Sequence, residues 1–86
     1  MAEYDHFSQL KTLKVTVHHE LHIAYITFNR PESMNTYNFD MSKELPSCIE
    51  AIAEDNNIKI LVLNGAGKIF MAGGDIELLK QAGANN

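Results

Sequence analysis

Cysteine is scarce in this sequence, and the shortage excludes two kinds of stabilising link. Cys48 is the single cysteine in 86 residues, so an internal disulfide is excluded. No Cys/His pattern has the spacing of a zinc site. A chain of this length forms one small domain at most and buries only about 60–65% of its unfolded surface. We therefore expect contacts with other chains to add burial.

Basic charge is also scarce, and it is scattered along the chain. Seven Lys and Arg residues face eleven Asp and Glu residues, which gives a net charge of −4. A nucleic-acid interface needs a clustered basic face, so none is expected. The N-terminus has no basic start followed by an apolar run, and no apolar stretch approaches the ~20 residues of a membrane span. The sequence therefore predicts a cytoplasmic protein without a signal peptide, and its 45% apolar content is that of a globular domain.

Apolar periodicity predicts a β-hairpin after an N-terminal arm formed by residues 1–12. Leu13, Val15 and Val17 alternate with polar residues, as in a half-buried strand. The apolar run Ile23–Phe28 predicts an adjacent strand that is covered on both faces. We expect the two strands to pair as a hairpin.

The histidines of the HHELH stretch, residues 18–22, fall in the turn of this hairpin. A zinc-binding helix requires H-E-x-x-H, with two histidines four residues apart. The sequence offers H-E-x-H instead, and it offers it in a turn. A solvated turn is therefore a better interpretation than a metal site.

The apolar residues change from a spacing of two to a period of 3.6 residues, which predicts an amphipathic helix from about Asn38. Asn38 or Asp40 can cap its start. Pro46 lies inside the pattern, so either the helix kinks there, which we favour, or the regular helix starts near Pro46. The predicted apolar stripe consists of Met41, Leu45, Cys48, Ile49, Ile52 and Ala53.

A further strand, a loop and a short helix are predicted after this helix. The apolar run Lys59–Leu63 predicts a buried strand, and strand, helix and strand together form a βαβ unit with parallel strands and a right-handed crossover. A glycine-rich loop comes next, and a short helix is predicted from about Gly73 to Ala82.

The first part of the glycine-rich loop fails the templates for phosphate binding. A P-loop needs glycine where Val62 stands and Ser or Thr where Ile69 stands. The dinucleotide pattern needs glycine at Phe70. We therefore interpret Gly65–Phe70 as a turn that leads the chain off the strand, although it contains the letters GAGK.

The second part of the loop offers a site for a different anion. Gly73 and Gly74 stand where a helix is predicted to begin, and a helix N-terminus carries unsatisfied N–H groups and partial positive charge. Such groups can stabilise an oxyanion that develops on a carbonyl. The residues alone leave a second interpretation open and favour it: a tight turn in which Asp75 only complements the helix dipole.

Several motifs follow one another in a characteristic order between Val15 and Leu79. They are Asn29-Arg30-Pro31, Asn35, Gly65-Ala66-Gly67-Lys68, Phe70 and Ala72-Gly73-Gly74-Asp75-Ile76. Each motif alone is weak, and the combination at these spacings is specific. In this order they resemble the N-terminal part of the enoyl-CoA hydratase/isomerase (crotonase) family.

This resemblance implies an α/β fold, a truncated crotonase-like ββαβα unit that occupies residues 13–86 as a single domain. Members of the family are built from a spiral of ββα units, usually assemble as trimers and act in fatty acid metabolism. They bind acyl-CoA thioesters and stabilise an enolate with two backbone N–H groups. The resemblance implies a homo-oligomer, in a trimer-based or domain-swapped arrangement, because a truncated spiral leaves strand edges and apolar faces open.

By resemblance, the first oxyanion-hole N–H belongs to Gly74. The residues that would line the coenzyme A and acyl pocket are Met34, Ala72, Gly73, Asp75 and Ile76. No metal is implied, and no cofactor beyond the coenzyme A that is part of the substrate.

Three departures from the family pattern limit the implied activity. The second oxyanion donor and the catalytic carboxylates of hydratases belong to later segments that have no counterpart in this sequence. Glu77 stands where many members have a basic residue, and Pro46 interrupts the first long helix. We therefore expect acyl-CoA binding that is incomplete for catalysis. The alternative is a non-catalytic assembly or acyl-CoA-binding module that self-associates or pairs with a full-length homologue.

Overall fold

Three strands and one long helix form the part of the chain that the computed structural model describes, residues 9–74. Short 3-10 turns occur at His19–Leu21 and Pro31–Ser33. No helix within 9–74 is long and apolar enough to cross a membrane. The strands and the helix, in chain order, are β1 (Leu13–His18), β2 (Ile23–Phe28), α1 (Phe39–Ala53) and β3 (Ile60–Gly65).

The strands form one mixed sheet in the order β1-β2-β3. β1 and β2 pair antiparallel, with Leu13 opposite Phe28. β2 and β3 pair parallel, with Ile23 opposite Ile60. The predicted hairpin and the predicted parallel βαβ unit are therefore confirmed, while the right-handed crossover stays a prediction. The predicted helix at 73–82 falls almost entirely outside the described residues.

The hydrophobic core lies between α1 and one face of β1 and β2. On that face alternate residues of both strands are buried, as the period of two requires. Residues of the other face of β2 are only half-buried, so the prediction that β2 is covered on both faces is wrong. The core consists of Leu13, Val15, Val17, Ala24, Ile26, Phe28, Met41, Cys48 and Ile52.

Helix α1 begins with a side-chain cap, as predicted. The side-chain oxygen of Asn38 accepts a hydrogen bond of 2.9 Å from the backbone N–H of Met41. Pro46 lies inside one continuous helix. The interpretation that the regular helix starts near Pro46 is therefore wrong, and the kink stays a prediction.

The buried stripe of α1 is narrower than predicted. Met41, Cys48 and Ile52 are buried, whereas Ile49 is 39% exposed and Ala53 is also exposed. Spacings of three and four residues place the buried side chains on one face. The two exposed residues lie at one edge of the buried face, and β1 and β2 do not cover this edge.

The prediction of a buried third strand is wrong. In β3, Ile60 is 52% exposed, Leu61 36% and Leu63 40%. The sequence pattern identified the strand correctly because apolar β-formers favour a sheet. Coverage of that strand requires a further element, and none of the elements within residues 9–74 covers these side chains.

Glu44 of α1 fixes the segment that enters β1. Its carboxylate accepts hydrogen bonds from the backbone N–H groups of Lys11 and Thr12, each 2.9 Å long, and from the Thr12 hydroxyl at 2.7 Å. Partial burial alone would raise the pKa of Glu44, but these bonds and the charge of Lys11 outweigh it and lower the pKa. The ionised carboxylate therefore holds residues 11–12 against the helix.

Candidate functional site

Of the residues that sequence predicted to form the acyl-CoA site, Met34, Ala72, Gly73 and Gly74 lie within the described part of the chain. Asp75 and Ile76 lie outside it, as does Glu77. The four described residues belong to two loops that are distant in sequence. The structure brings these loops together.

The first loop leaves β2 through Arg30 and reverses direction at two consecutive left-handed residues. Met34 has a φ of 55° and Asn35 a φ of 54°. Asparagine tolerates this conformation better than most residues, whereas a left-handed methionine costs roughly 1–2 kcal/mol. The backbone N–H of Asn35 donates to the Arg30 carbonyl at 2.8 Å, which closes the turn.

The side chain of Asn35 joins this loop to the glycine-rich loop. Asn35 is completely buried. Its Oδ1 accepts from the Arg30 backbone N–H at 2.7 Å, and its Nδ2 donates to the carbonyls of Ala66 and Ile69 at 2.9 and 2.7 Å. All these partners are backbone groups, so the position of one loop fixes the position of the other.

Backbone hydrogen bonds continue this connection along both loops. The Ala72 N–H donates to the Met34 carbonyl at 3.1 Å, and the Tyr37 N–H donates to the Gly73 carbonyl at 2.7 Å. Tyr37 and Gly74 form a parallel β-bridge. Met34, the only predicted pocket residue of the first loop, therefore lies beside the Ala72–Gly74 segment.

Gly73 and Gly74 do not form the first turn of a helix, and in this respect the predicted start at Gly73 is wrong. Gly73 has a φ of 123°, a conformation that glycine adopts because it has no Cβ. Gly74 takes part in the bridge with Tyr37. Neither glycine is therefore helical.

The N–H of Gly74 points away from the first loop. It shares a peptide group with the Gly73 carbonyl, and a trans peptide directs its C=O and N–H in opposite directions. No cis peptide occurs in the described part of the chain. Because the Gly73 carbonyl accepts the hydrogen bond from Tyr37, the Gly74 N–H faces the opposite side of the segment.

A cavity of about 230 Å³ opens where the two loops meet. Met34 contributes to its wall and is 52% exposed. The Lys68 ammonium is the one charged side chain of this lining. The remaining lining residues are Pro31, Asn35, Ala66, Gly67 and Ile69.

Gly65 allows the glycine-rich loop to turn back on itself. A Cβ at this position would lie 2.6 Å from the carbonyl oxygens of Ile69 and Phe70, closer than real Cβ contacts. The Phe70 ring packs edge-on against Phe28, with the ring centroids 5.2 Å apart. The prediction that Gly65–Phe70 turns the chain off the strand is confirmed.

Residues 19–22 of the histidine stretch lie in the turn between β1 and β2, as predicted, and His18 is the last residue of β1. His19, Glu20, Leu21 and His22 are exposed. His22 Nδ1 lies 2.9 Å from the Asn57 carbonyl oxygen, within hydrogen-bond distance. Within residues 9–74, no three His, Cys, Asp or Glu residues are close enough together to hold a metal ion.

Asn35 belongs to one of the sequence motifs, but the sequence alone assigns it no structural role. The structure makes it the residue that joins the two loops. A signal was present in the sequence, because asparagine is favoured among non-glycine residues in the left-handed region. The partners of its side chain, Ala66 and Ile69, could not be identified from spacing because they lie more than 30 residues away.

The fold and the paired loops together define an enoyl-CoA hydratase/isomerase-like α/β unit. The enoyl-CoA hydratase/isomerase family model matches residues 18–86. The chain therefore belongs to that family. The resemblance that the sequence motifs indicated is confirmed.

Individual relatives differ in reaction and in acyl carrier. The chain is 39% identical over 59 residues to 1,2-epoxyphenylacetyl-CoA isomerase of Escherichia coli K12. The matched region covers 69% of this chain and 22% of that protein. It is 35% identical over 60 residues to trans-2-decenoyl-[acyl-carrier-protein] isomerase of Streptococcus mutans. This match covers 70% of this chain and 23% of that protein. The solved structure of Pseudomonas aeruginosa AtuE superimposes with a TM-score of 0.75 at 36% identity, over 88% of this chain and 29% of that one.

The chain spans between a fifth and a third of the length of these relatives. The fold and the family therefore extend to this chain, because the matched region covers most of it.

Proposed function

We propose that the chain binds acyl-CoA thioesters through a backbone oxyanion site whose donor is the Gly74 N–H. The observation that carries this proposal is the direction of that N–H, away from the loop that pairs with Gly73. A thioester oxygen placed on that side meets a bare peptide N–H, because glycine has no side chain to block the approach. The proposal agrees with the family to which the chain belongs.

The preorganisation of this donor supports the proposal. The Tyr37–Gly73 hydrogen bond and the Asn35 side chain fix the peptide before a ligand arrives. A donor that is fixed in advance does not have to reorganise when charge develops on the carbonyl oxygen, and one such donor contributes ~2.7–4 kcal/mol to a transition state. The site would therefore favour an enolate over the neutral thioester.

The cavity beside Met34 is a second surface that part of the ligand could occupy, and its lining does not include Ala72, Gly73 or Gly74. Apolar groups dominate its lining, and Lys68 brings a positive charge to it. Coenzyme A combines an apolar and amide-containing arm with phosphates, so such a lining suits part of it. Asp75 and Ile76 remain predicted pocket residues.

Catalysis requires a proton-transfer group in addition to an oxyanion donor. No residue of the chain is assigned that role. We therefore expect binding of thioesters, with preference for enolates, and no hydration of a short enoyl-CoA by this chain alone.

Isothermal titration with acetyl-CoA and with its thioether analogue S-ethyl-CoA tests the proposal. The thioether lacks the carbonyl oxygen, so we expect it to bind more weakly than the thioester. Gly74→Pro removes the N–H, and Gly74→Ala retains it as the matched control. We expect Gly74→Pro to abolish the preference for the thioester. Gly74→Ala adds a Cβ beside the N–H, so it should weaken the binding of both ligands but preserve the preference.

Equal affinities of the thioester and the thioether for the original chain would contradict the oxyanion role of Gly74. The expectation about catalysis has its own test in the hydration of crotonyl-CoA followed by ultraviolet absorbance. Turnover that increases with protein concentration and disappears in Gly74→Pro would overturn it.

A second candidate function is an assembly module without catalysis, which self-associates or pairs with a full-length homologue. The exposure of Ile60, Leu61 and Leu63 on β3 favours it, because apolar side chains on a strand are a common feature of interfaces. If the titration gives no heat and acetyl-CoA leaves the melting temperature unchanged, the assembly function is favoured over thioester binding.

A further inference from the structure

Asn64 and Gly65 are the last two residues of strand β3, and they form the one Asn-Gly pair in the sequence. The backbone nitrogen of the residue after an asparagine can attack the side-chain amide of that asparagine. Glycine at the second position favours the attack, because it has no Cβ to hinder the approach. The end of β3 therefore carries the chemistry for spontaneous deamidation, a role that neither the fold nor the proposed function uses.

Deamidation at this pair is a ring closure followed by hydrolysis. The Gly65 nitrogen bonds to the side-chain carbonyl carbon of Asn64, the bond from that carbon to Nδ2 breaks, and ammonia leaves with the proton of the Gly65 N–H. Water then opens the five-membered succinimide ring. Cleavage of the new bond gives aspartate, whereas cleavage of the original peptide bond gives isoaspartate, in which the main chain continues through the side chain.

The backbone conformation of β3 opposes this ring closure. Closure requires the Gly65 nitrogen and the Asn64 Cβ to be nearly eclipsed about the bond between the Asn64 Cα and its carbonyl carbon. A parallel strand has a ψ of about +115°, which directs the following nitrogen away from the side chain. Asn64 lies inside the parallel ladder, in register with Thr27 of β2. The ladder must therefore open at Asn64 before the ring can form.

The side chain of Asn64 is held as well. Its Oδ1 accepts a hydrogen bond of 2.6 Å from the Thr27 hydroxyl. This bond directs the amide toward β2 rather than along its own chain. A hydroxyl that donates to the carbonyl oxygen also withdraws electrons from the carbon, which favours attack. That effect matters only when the nitrogen is within reach, so in the paired strand the orienting effect dominates.

The chain beyond Gly65 is fixed at the next residue. The Ala66 N–H donates to the Phe28 carbonyl at 2.8 Å, and the Ala66 carbonyl accepts from Asn35 Nδ2 at 2.9 Å. A rotation about ψ of Asn64 that brings its side chain to the Gly65 nitrogen moves Ala66 and breaks both bonds. Ring closure in the folded chain therefore requires the end of β3 to separate from β2.

We propose that Asn64 is a deamidation site that the fold keeps unreactive, and that the Thr27 hydroxyl protects it. Reaction then proceeds only through local opening of the end of β3. Isoaspartate adds one carbon to the main chain, so in the product Ala66 no longer aligns with its partners Phe28 and Asn35. Because ammonia has left, the original amide does not form again, and a transient opening becomes permanent.

Peptide mapping of the full 86-residue chain tests the proposal. Trypsin cleaves after Lys59 and Lys68 and releases residues 60–68, in which Asn64 is the only asparagine. Mass spectrometry measures the conversion of this peptide, and reversed-phase chromatography separates its aspartate and isoaspartate forms. The chain is incubated at mildly alkaline pH, folded or unfolded in urea, before digestion. We expect the unfolded chain to react at least about tenfold faster than the folded chain.

Thr27→Val tests the side-chain contact, because it keeps the shape of threonine but removes the hydroxyl. We expect the folded variant to react about two- to tenfold faster than the original chain, as the loss of one hydrogen bond predicts. Thr27→Ser keeps the hydroxyl and should react like the original chain. Thr16→Val, the matched control, makes the same change in β1 on the same face of the sheet and should leave the rate unchanged. Circular dichroism confirms that each variant is folded.

Several results would overturn the proposal. Equal rates in the folded and the unfolded chain would show that the fold does not protect Asn64, and no conversion in urea would show that the pair is not a deamidation site. A rate in Thr27→Val at or below that of the original chain, or an equal increase in Thr16→Val, would remove the protective role of the Thr27 hydroxyl. These measurements use no acyl-CoA, so this proposal and the proposed function can fail separately.

Discussion

The two halves of this small sheet contain similar apolar residues but differ in how they are covered. The packed half consists of β1, β2 and α1, and the open half consists of β3 and residues 66–74. Ile26 of β2 and Leu63 of β3 are register partners on the same face. Ile26 is completely buried, whereas Leu63 is 40% exposed. The apolar character of a residue therefore does not show whether the face that carries it is covered.

The candidate site lies in the open half, and its order comes from connections to the packed half. Asn35 and Tyr37, which follow β2 in the chain, bind the backbone of the glycine-rich loop. A loop held in this way can present the Gly74 N–H without a hydrophobic core of its own. Under the proposed function, the packed half supplies stability and the open half supplies the binding site.

The largest expected effect is the loss of stability on truncation of Ile26, compared with the same truncation of its register partner Leu63. Ile26→Ala removes a fully buried side chain and should reduce the free energy of unfolding by about 2–5 kcal/mol. Leu63→Ala removes a partly exposed one and should cost roughly 1 kcal/mol or less at concentrations where the chain is monomeric. Urea denaturation measures both. Equal losses would show that the open half is covered in solution.

Asn35→Asp should have the next largest effect, because it breaks the connection between the halves. The aspartate keeps the size of the side chain but cannot donate to the carbonyls of Ala66 and Ile69. We expect a loss of about 2–3 kcal/mol in the free energy of unfolding. Asn35→Gly retains the left-handed backbone and is the control for conformation. A loss below 0.5 kcal/mol would contradict the structural role of Asn35.

A smaller effect is expected at the start of α1, within the packed half. Asn38→Ala removes the side-chain acceptor for the Met41 N–H and should cost about 1 kcal/mol. Asn38→Asp keeps an acceptor and should be close to the original chain. Thermal unfolding followed by circular dichroism measures the difference. Equal melting temperatures of the two variants would show that the cap contributes nothing.

The smallest expected effect is a pH dependence at Glu44, which fixes the segment before β1. Because folding lowers the pKa of Glu44 below its ordinary value of 4.5, its stabilising contribution is fully present above that value. The contribution is lost as the pH falls through the folded-state pKa. Urea denaturation between pH 7 and pH 3 should therefore show a weaker dependence in Glu44→Gln.

Glu50→Gln, which removes a carboxylate from an exposed position of the same helix, is the matched control for that measurement. An identical pH dependence of Glu44→Gln and the original chain would show that the hydrogen bonds of Lys11 and Thr12 do not depend on the ionised carboxylate.

Much of the local structure could be predicted because local residue patterns determine it. The period of two in β1, the helical stripe that contains Met41, Cys48 and Ile52, and the cap at Asn38 were all predicted and are confirmed. The order of motifs also indicated the family correctly. Predictions that required knowledge of neighbouring elements were less successful: β3 is not buried, and the helix expected from Gly73 does not include Gly73 or Gly74.

By itself, the sequence determined the elements and the positions where the backbone must be unusual. Short-range sterics and hydrogen bonds decide these features, and both act between residues that are close in the chain. Only the tertiary structure decided that Asn35 joins two distant loops and that the Gly74 N–H faces away from Tyr37. It also decided which side chains of β3 the elements within residues 9–74 leave exposed. Those features depend on contacts across more than 30 residues, which a local pattern does not contain.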